Sequence, residues 1–405
     1  MPAQFAPLSS FCIVADDLSG AADCAASFAG VAGPVPVAVD ESLGAGPCLA
    51  VDTDSRALTE DAAVALTARL FARIAASGAP PALVYKKIDS TLRGHVGPEL
   101  AAALDAAPGF AGAIVAPSFP EQGRTFAGGK LLVHGRAPEG LGRSGDLMAM
   151  LDAARLRPAL VSAPFDHAQA LALRIQRAAD AGARAVAVDA STQGDLLLLA
   201  TALRQLRAPW VVAGSAGLAR ALAQHVERGA SRVTAPPAIA CGAVLTLVGS
   251  FSPASAAQVR AVEAAGDARV VRLTPSQWQH EQHAPLRRTV LDDARRELGA
   301  GRHVLVAIDG DVVQPFSRSL VRAMARTAAP LLPLARACVL TGGDTARALF
   351  DTVGIARLDV AGELEAGISI GHAPAQPGRV FVLKAGGFGD AGALQRAIRR
   401  FGVAA

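Results

Sequence analysis

The sequence is poor in several residue types, and these shortages exclude some classes of protein. Only four of its 39 basic residues are lysines, and its 405 positions include one tyrosine and two tryptophans. No stretch offers the roughly 20 consecutive apolar residues that a membrane-spanning helix needs. The net charge of +4 is small for this length, and no basic run is interleaved with aromatic residues. Neither a membrane nor a nucleic acid is therefore an expected partner.

Cysteine is also sparse. The five cysteines are scattered, odd in number and never spaced as Cys-x-x-Cys, which predicts reduced, buried thiols rather than disulfides or a zinc site. The first ten residues contain no basic segment followed by an apolar core, so we expect no export signal. These features predict a cytoplasmic protein.

The length predicts two domains, because 405 residues exceed what one hydrophobic core normally supports. Apolar, strand-like runs alternate with alanine-rich helical segments, which predicts α/β domains with mainly parallel sheets flanked by helices. A proline-rich segment at 235–238 interrupts the alternation. We therefore predict domains over residues 1–235 and 240–405. The strand-like runs are 11–15, 47–51, 81–84, 112–116, 157–162, 183–188, 209–213, 243–248, 270–273, 303–308, 337–341 and 380–383.

In the first half, three strand-like runs are each followed by a cluster of polar residues. The first cluster contains Asp16 and Asp17, the second contains Arg56, and the third is the segment 86–93 with two of the four lysines. The carboxyl ends of parallel strands meet at one edge of a sheet, where ligands bind. Arginine suits a carboxylate, and a lysine kept in an arginine-rich chain suits a site that needs a compact charge. The alternatives are a helix N-cap for Asp17 and a plain surface position for Arg56.

In the second half, three strand-like runs end in glycine-bearing loops, at 249–252, 342–346 and 384–390. Such loops offer backbone N–H groups and helix N-termini to phosphates, and glycine lets the backbone approach a nucleotide closely. The rare Lys384 adds a charge to the third loop. A single loop of this kind can be an ordinary turn, but three in one domain predict a nucleotide site.

Two further nucleotide motifs are not present. Gly129-Lys130 is not part of a P-loop, because Arg124 stands where the motif has its first glycine and Leu131 where it has Ser or Thr. We predict a hairpin there instead. No G-x-G-x-x-G follows the first strand-like run, which argues against a nicotinamide-dependent dehydrogenase.

Charged strand ends in one domain and glycine loops in the other are typical of a kinase that acts on a small, polyhydroxylated anion. Phosphoryl transfer needs precise positioning, Mg²⁺ to neutralise phosphate charge, and a carboxylate to accept the hydroxyl proton. Asp17 and Asp89 are the candidate bases, and the sequence does not rank them.

Motifs in a constant order along nearly the whole chain resemble the four-carbon acid sugar kinase family, which includes D-threonate, D-erythronate and 3-oxo-tetronate kinases. They are ADDLSGAAD at 15–23, TDSR at 53–56, KKIDSTLRG at 86–94, APSFPEQGRTFAGG at 116–129, GSAGLA at 214–219, GSFSPASAAQ at 249–258, GGDTA at 342–346 and KAGGFGD at 384–390.

The resemblance implies that residues 1–235 bind the acid sugar, that residues 240–405 bind ATP, and that the active site lies in the cleft between them. It implies transfer to the C4 hydroxyl of D-threonate, with 3-oxo-tetronate and D-erythronate as alternatives. A non-catalytic sugar-acid sensor is the alternative from another class. ATP and Mg²⁺ are the implied cofactors, and a homodimer is held open as the assembly.

The resemblance also implies roles for particular residues. The implied substrate contacts are Asp17, Arg56, Lys86, Lys87, Ile88, Asp89 and Arg93, and the implied ATP contacts are Ser250, Ser252, Gly342, Gly343, Asp344, Thr345 and Gly386.

Overall fold

The computed structural model describes residues 9–41, 46–77, 81–138, 145–225, 241–310 and 318–402. The chain divides into two units, Met1–Val233 and Thr234–Ala405. The proline-rich segment 235–238, on which the predicted domain boundary depends, lies outside the described residues. Both units alternate strands with helices, and the predicted α/β fold is confirmed.

The first unit contains a sheet of parallel strands and a separate antiparallel hairpin. Its strands are β1 (Phe11–Ala15), β2 (Val35–Ala38), β3 (Cys48–Asp52), β4 (Leu83–Lys87), β5 (Ala113–Ala116), β6 (Arg124–Ala127), β7 (Lys130–Val133), β8 (Pro158–Val161), β9 (Ala185–Val188) and β10 (Val211–Gly214). The parallel strands pair in the order β2-β3-β1-β4-β10-β5-β9-β8, and β6 and β7 form the hairpin. The hairpin that was predicted in place of a P-loop is confirmed.

Helices connect the parallel strands of the first unit. They are α1 (Leu18–Ala32), α2 (Glu60–Ala76), α3 (Val96–Ala106), α4 (Leu147–Ala153), α5 (Ala168–Asp180), α6 (Gln193–Leu203) and α7 (Ala216–Ala223). Helices α2, α3 and α4 cover one face of the sheet, where their apolar side chains join those of β1, β4 and β5 in a continuous core. Helices α1 and α7 pack against each other.

The second unit has its own set of strands and helices. The strands are β11 (Val244–Val248), β12 (Arg269–Leu273), β13 (Val304–Ile308), β14 (Ala337–Thr341), β15 (Arg357–Glu365), β16 (Ile368–His372) and β17 (Val380–Lys384). The helices are α8 (Pro253–Ala265), α9 (Pro275–Gln279), α10 (Ala284–Gly299), α11 (Arg318–Ala328), α12 (Gly343–Val353) and α13 (Ala393–Arg399). The strands pair in the order β12-β13-β11-β14-β17-β16-β15, with β16 antiparallel to both of its neighbours.

The predicted strand-like runs all overlap observed strands, but three strands were missed. Strand β2 is only four residues long and contains a proline, which disfavours a strand interior. Strands β15 and β16 mix glycine and polar residues with apolar ones, so neither shows a continuous apolar run. Such interrupted patterns are typical of antiparallel or edge positions rather than of a buried parallel strand. Strand β4 also ends three residues later than predicted. The prediction ended it at Val84 because the next three residues, a tyrosine and two lysines, do not continue the apolar run.

The burial of the cysteines and the lengths of the helices can be compared with the predictions of buried thiols and no membrane span. None of the five cysteines, all of which lie in the described ranges, forms a disulfide, and Cys12, Cys24 and Cys338 are buried as expected. Cys48 is half-buried and Cys241 is exposed, so burial was wrong for these two. Burial raises the pKa of the Cys12 and Cys338 thiols to about 12. Within the described ranges, no helix combines the length and the apolar character that crossing a membrane requires.

The extension of β4 places its two lysines on opposite faces of the sheet, because side chains alternate along a strand. Lys86 lies on the face of Val84 and Ile88, which packs against α2 and α3. Its Nζ lies 2.9 Å from Glu99 Oε2, and both side chains are at most 2% exposed. Lys86 is therefore bound within the core, and the structure does not bring it to the substrate cluster that the sequence predicted for it.

This buried pair leads to a stability prediction. A Lys86→Met variant leaves the Glu99 carboxylate buried without its cation, so we expect a loss of about 3–5 kcal/mol in the free energy of unfolding. The double variant Lys86→Met/Glu99→Leu removes both charges and should recover most of that loss. Urea unfolding of the three proteins measures both effects. A single variant as stable as the unaltered protein would contradict the pairing.

Candidate functional site

The carboxyl ends of β3, β1 and β4 are neighbours, and the charged residues that follow them meet around Arg56. Arg56 Nε and Nη2 each donate to one oxygen of Asp16 at 2.8 Å. Nη2 also donates to Asp17 Oδ1 at 2.7 Å, and Nη1 lies 3.6 Å from Asp89 Oδ1. We call Asp16, Asp17, Arg56, Lys87, Asp89 and Arg93 the Arg56 cluster. Arg56 is thus not an ordinary surface arginine.

Asp17 is both the N-cap of α1 and a member of this cluster. Its Oδ1 accepts a hydrogen bond from Gly20 N at 3.1 Å, as an N-cap does. Its Oδ2 accepts one from Ser19 Oγ at 2.6 Å. Burial alone would raise the pKa of the Asp17 carboxyl, but the charges of Arg56 and Lys87 and the bond from Ser19 hold that pKa below its usual value.

Asp89 is the most heavily bonded carboxylate of the cluster. Its Oδ2 accepts from Thr91 N at 3.1 Å and from Arg93 Nε at 2.8 Å, and the Thr91 hydroxyl donates to the same oxygen. Arg93 Nη2 donates to Oδ1 at 2.8 Å. Burial opposes ionisation, yet Arg93 and Arg56 hold the pKa of Asp89 well below its usual value. The Asp89 carboxylate therefore stays ionised at neutral pH.

Lys87 completes the cluster from the face of β4 opposite to Lys86. Both Lys87 Nζ and Asp17 Oδ1 lie so close to Gly20 that a methyl group on its Cα would collide with them. Burial would lower the pKa of Lys87, but the neighbouring Asp17 and Asp16 carboxylates raise it above its usual value. Lys87 is therefore an ammonium ion beside the Asp17 carboxylate.

The charges of the Arg56 cluster balance, with three carboxylates facing two guanidinium groups and one ammonium group. Next to the cluster lies a pocket with a volume of about 230 Å³. The side chain of Arg93 is 52% exposed, so a ligand in the pocket can reach its guanidinium. An anionic group suits such a wall. The pocket is lined by Arg56, Ala57, Leu58, Thr91, Leu92, Arg93, Gly94 and His95.

Ile88 and Asp23 differ from what the sequence analysis assigned to them. The side chain of Ile88 is in the hydrophobic core and its N–H donates to Gly214 O at 2.9 Å, so the side chain is not placed to bind a ligand. Asp23 had no role, yet it lies buried on α1 near Lys87, and its Oδ1 has no hydrogen-bond partner among the described residues. Burial raises the pKa of Asp23 to about 6. Asp23 comes three residues after Gly20 on α1, and residues with this spacing lie on the same face of a helix. The sequence therefore indicated that Asp23 lies on the same side of α1 as Gly20.

In the second unit, the three glycine-bearing loops follow β11, β14 and β17, which are adjacent and parallel. The loops approach one another closely. A methyl group at Gly249 would lie 2.5 Å from Thr345 Oγ1, and one at Gly386 would collide with Ser250 Oγ. Gly342 has a φ of 100°, a left-handed conformation that favours glycine. The predicted residues of the three loops are therefore brought close together, and no side chain fits at positions 249 and 386.

Several of the predicted nucleotide contacts are bonded to other parts of these loops. Ser252 caps α8 by accepting from Ser255 N at 3.1 Å, and its hydroxyl donates to Gly386 O at 2.6 Å. Ser250 Oγ accepts from Ser252 N at 3.3 Å. Asp344 Oδ1 accepts from Arg318 Nε at 2.9 Å. The bond from Ser252 to Gly386 joins the first and third loops.

Lys384 does not have the position that its motif indicated. Its side chain is fully buried, and its Nζ donates to backbone carbonyls of the third loop. Burial lowers the pKa of Lys384 to about 7. The expectation that its charge faces a ligand is therefore wrong.

No three or more His, Cys, Asp or Glu side chains within the described ranges form a group that could hold a metal ion. Mg²⁺ typically needs only one or two carboxylates when it is bound together with phosphates. Two carboxylates lie at the glycine loops, Asp344 and Asp390. Asp390 is paired with Arg396, and the side chain of Asp344 is 42% exposed. The residues present therefore fit an ion that arrives with a nucleotide.

The lowered pKa of Asp89 leads to a prediction on acid stability. The unfolded chain binds a proton at Asp89 near pH 3.8, whereas the folded protein does so only at lower pH. The stability contributed by these ion pairs is present above about pH 5 and is lost as the pH falls through the folded pKa. We expect the free energy of unfolding of Asp89→Asn to fall less steeply than that of the unaltered protein between about pH 5 and 3.

Urea unfolding at a series of pH values measures these slopes. Asp152→Asn is the matched control, because Asp152 is exposed and its substitution should leave the slope unchanged. Equal slopes for the Asp89→Asn variant and the unaltered protein would contradict the ion pairing of Asp89.

Two family models match the chain. A sugar-binding N-terminal domain matches residues 11–222, and a nucleotide-binding C-terminal domain matches residues 245–394. Among solved structures, the chain is similar to a putative tRNA synthase from Salmonella typhimurium (TM-score 0.77, 20% identity, 97% of this chain and 99% of that one). It is also similar to a Haemophilus influenzae protein of a domain-of-unknown-function family (TM-score 0.68, 21% identity, 96% and 100% covered). These two likenesses show the fold.

Curated relatives match over almost the full length. A D-threonate kinase from Cupriavidus necator is 39% identical over 96% of this chain and 97% of its own length. A D-threonate kinase from Bordetella bronchiseptica is 31% identical (95% and 96% covered). A 3-oxo-tetronate kinase from Methylobacterium radiotolerans is also 31% identical (95% and 97% covered). The chain belongs to the four-carbon acid sugar kinase family.

Proposed function

We propose that the protein is an ATP-dependent kinase that phosphorylates the C4 hydroxyl of a four-carbon sugar acid, with D-threonate as the substrate. The observation that carries the proposal is the charge-balanced Arg56 cluster beside an arginine-lined pocket, in a chain 39% identical to a D-threonate kinase. The glycine loops of the second unit supply the nucleotide site. Phosphoryl transfer requires the two sites to meet, and that expectation stays a prediction.

The pocket suggests how the acid binds. The half-exposed Arg93 guanidinium, with Arg56 behind it, pairs with the substrate carboxylate. The carboxylates of Asp16 and Asp17 accept hydrogen bonds from the hydroxyl groups. Lys87 holds the Asp17 carboxylate in place and offers N–H donors to the substrate.

Between the two candidate bases, we propose Asp17. Asp89 Oδ2 accepts four hydrogen bonds and Oδ1 accepts one, which leaves little capacity to accept a substrate proton. Asp17 Oδ2 accepts only the Ser19 hydroxyl among the described contacts. The lowered pKa keeps Asp17 ionised, and phosphoryl transfer depends more on the positioning of the acceptor than on its strength as a base.

The backbone amides of the loops at 249–252, 342–345 and 385–390 bind the phosphates of ATP, and the N-termini of α8 and α12 add their partial positive charge. Mg²⁺ neutralises phosphate charge when bound, and Asp344 is the carboxylate that would hold it. A cytoplasmic location and a homodimer stay predictions.

A panel assay tests the activity and the choice of acid. We expect ATP-dependent ADP release with the highest kcat/KM for D-threonate and lower values for D-erythronate and 3-oxo-tetronate, because these differ in single groups read by a few hydrogen bonds. A coupled ADP assay measures all three, with Asp17→Asn as the inactive control. A higher kcat/KM for another acid would reassign the substrate. Binding of an acid without any turnover would favour the sensor.

A second prediction tests the geometry around Lys87. In a Gly20→Ala variant the new methyl group displaces Lys87 Nζ or Asp17 Oδ1, so we expect kcat/KM to fall by at least about tenfold, the cost of one misplaced charge-assisted hydrogen bond. Gly30→Ala is the control on the same helix, because nothing lies within 4 Å of the added methyl group. Steady-state kinetics measure both. Full activity of Gly20→Ala would remove Lys87 and Asp17 from the active site.

A further inference from the structure

The backbone carbonyls of loop 385–390, which follows β17, are turned toward buried donors. Lys384 Nζ donates to Ala385 O at 3.0 Å, to Phe388 O at 2.9 Å and to Gly386 O at 3.4 Å. The Lys384 side chain has 0% exposure. The Lys384 amino group is thus bonded to carbonyls of its own loop.

Helix α8 supplies a second set of donors to the same loop. Gln258, which is also 0% exposed, directs Nε2 at three carbonyl oxygens, Phe388 O at 3.0 Å, Gly389 O at 3.3 Å and Asp390 O at 2.9 Å. The hydroxyls of Ser252 and Ser255 donate to Gly386 O at 2.6 and 2.8 Å. Lys384 and α8 together therefore supply donors to the carbonyls of 385, 386 and 388–390.

The inward carbonyls determine what the other side of the loop presents. A trans peptide unit is planar, and its C=O and the following N–H point in opposite directions. Carbonyls held inward at 385, 386 and 388 therefore turn the N–H groups of 386, 387 and 389 away from Lys384. Successive N–H groups on one side of a glycine-rich turn form a concavity that suits an anion.

We propose that Lys384 and Gln258 are positioning residues for the nucleotide, whose buried donors hold the carbonyls of loop 385–390 inward so that the loop presents its amides to the phosphates. This assignment rests on the proposed kinase function. Neither side chain touches the nucleotide. Without these donors a buried carbonyl loses its partner, and the peptide unit is free to turn its oxygen toward the phosphates, where it repels them.

Two variants of the full-length protein test the proposal. Gln258→Met and Lys384→Met keep the chain length and remove the donors, and we expect KM for ATP to rise about tenfold or more while KM for the acid stays within about twofold. Gln258→Glu replaces the amide donor with a carboxylate facing three carbonyls and should raise KM for ATP further. Gln279→Met and Lys130→Met are matched controls, because both side chains are exposed.

Circular dichroism and urea unfolding, compared with the unaltered protein, show whether each variant is folded in both units. The Gln258→Met variant still tests the proposal if Lys384→Met does not fold. An unchanged KM for ATP in a folded Gln258→Met variant overturns the positioning role. So does an equal rise in both KM values, which would indicate general loosening. Failure of the unaltered protein to bind ATP overturns the proposed function itself, whereas the first two outcomes leave that function standing.

Discussion

The first unit depends on the interaction of one guanidinium group with three carboxylates. Arg56 reaches Asp16, Asp17 and Asp89 at once because the strands that precede these residues are neighbours in the order β3-β1-β4. The three carboxylates are at least nine-tenths buried, and buried charges are costly unless each has a partner. Every member therefore needs the others, and the charges of the cluster balance among its own side chains.

The second unit presents a binding surface of a different kind. Its loops approach so closely that side chains are excluded at Gly249 and Gly386, and the charges nearby are held by other protein groups. Asp344 is paired with Arg318, and Lys384 is bonded to carbonyls. Oriented peptide dipoles then act in place of side-chain charges. This difference matches the difference between a small anionic acid and a nucleotide whose phosphate charge is shared with a metal ion.

The rarity of lysine marked important positions but did not reveal their roles. Lys86 forms a buried pair with Glu99, Lys87 stands beside Asp17, and Lys384 organises its own loop. Lys86 and Lys87 differ because β4 continues through them and side chains alternate along a strand. A prediction that ends the strand before them places both in one loop. Asp23 was assigned no role for a related reason, since its position near Lys87 depends on which face of α1 meets β4.

Local pattern alone determined much of this protein. The alternation of apolar runs and helical segments, the polar residues after strands, and the glycines before helices all follow from chain chemistry within a few residues, and they placed Asp17, Arg56, Asp89 and the three loops correctly at strand ends. Only the tertiary structure decided the rest. Strand order brought Arg56 to three carboxylates, and strand length separated Lys86 from Lys87. The approach of α8 to the loop after β17 gave Lys384 and Gln258 a shared target, the carbonyl of Phe388. These outcomes depend on contacts between residues far apart in the chain, which no short stretch of sequence specifies.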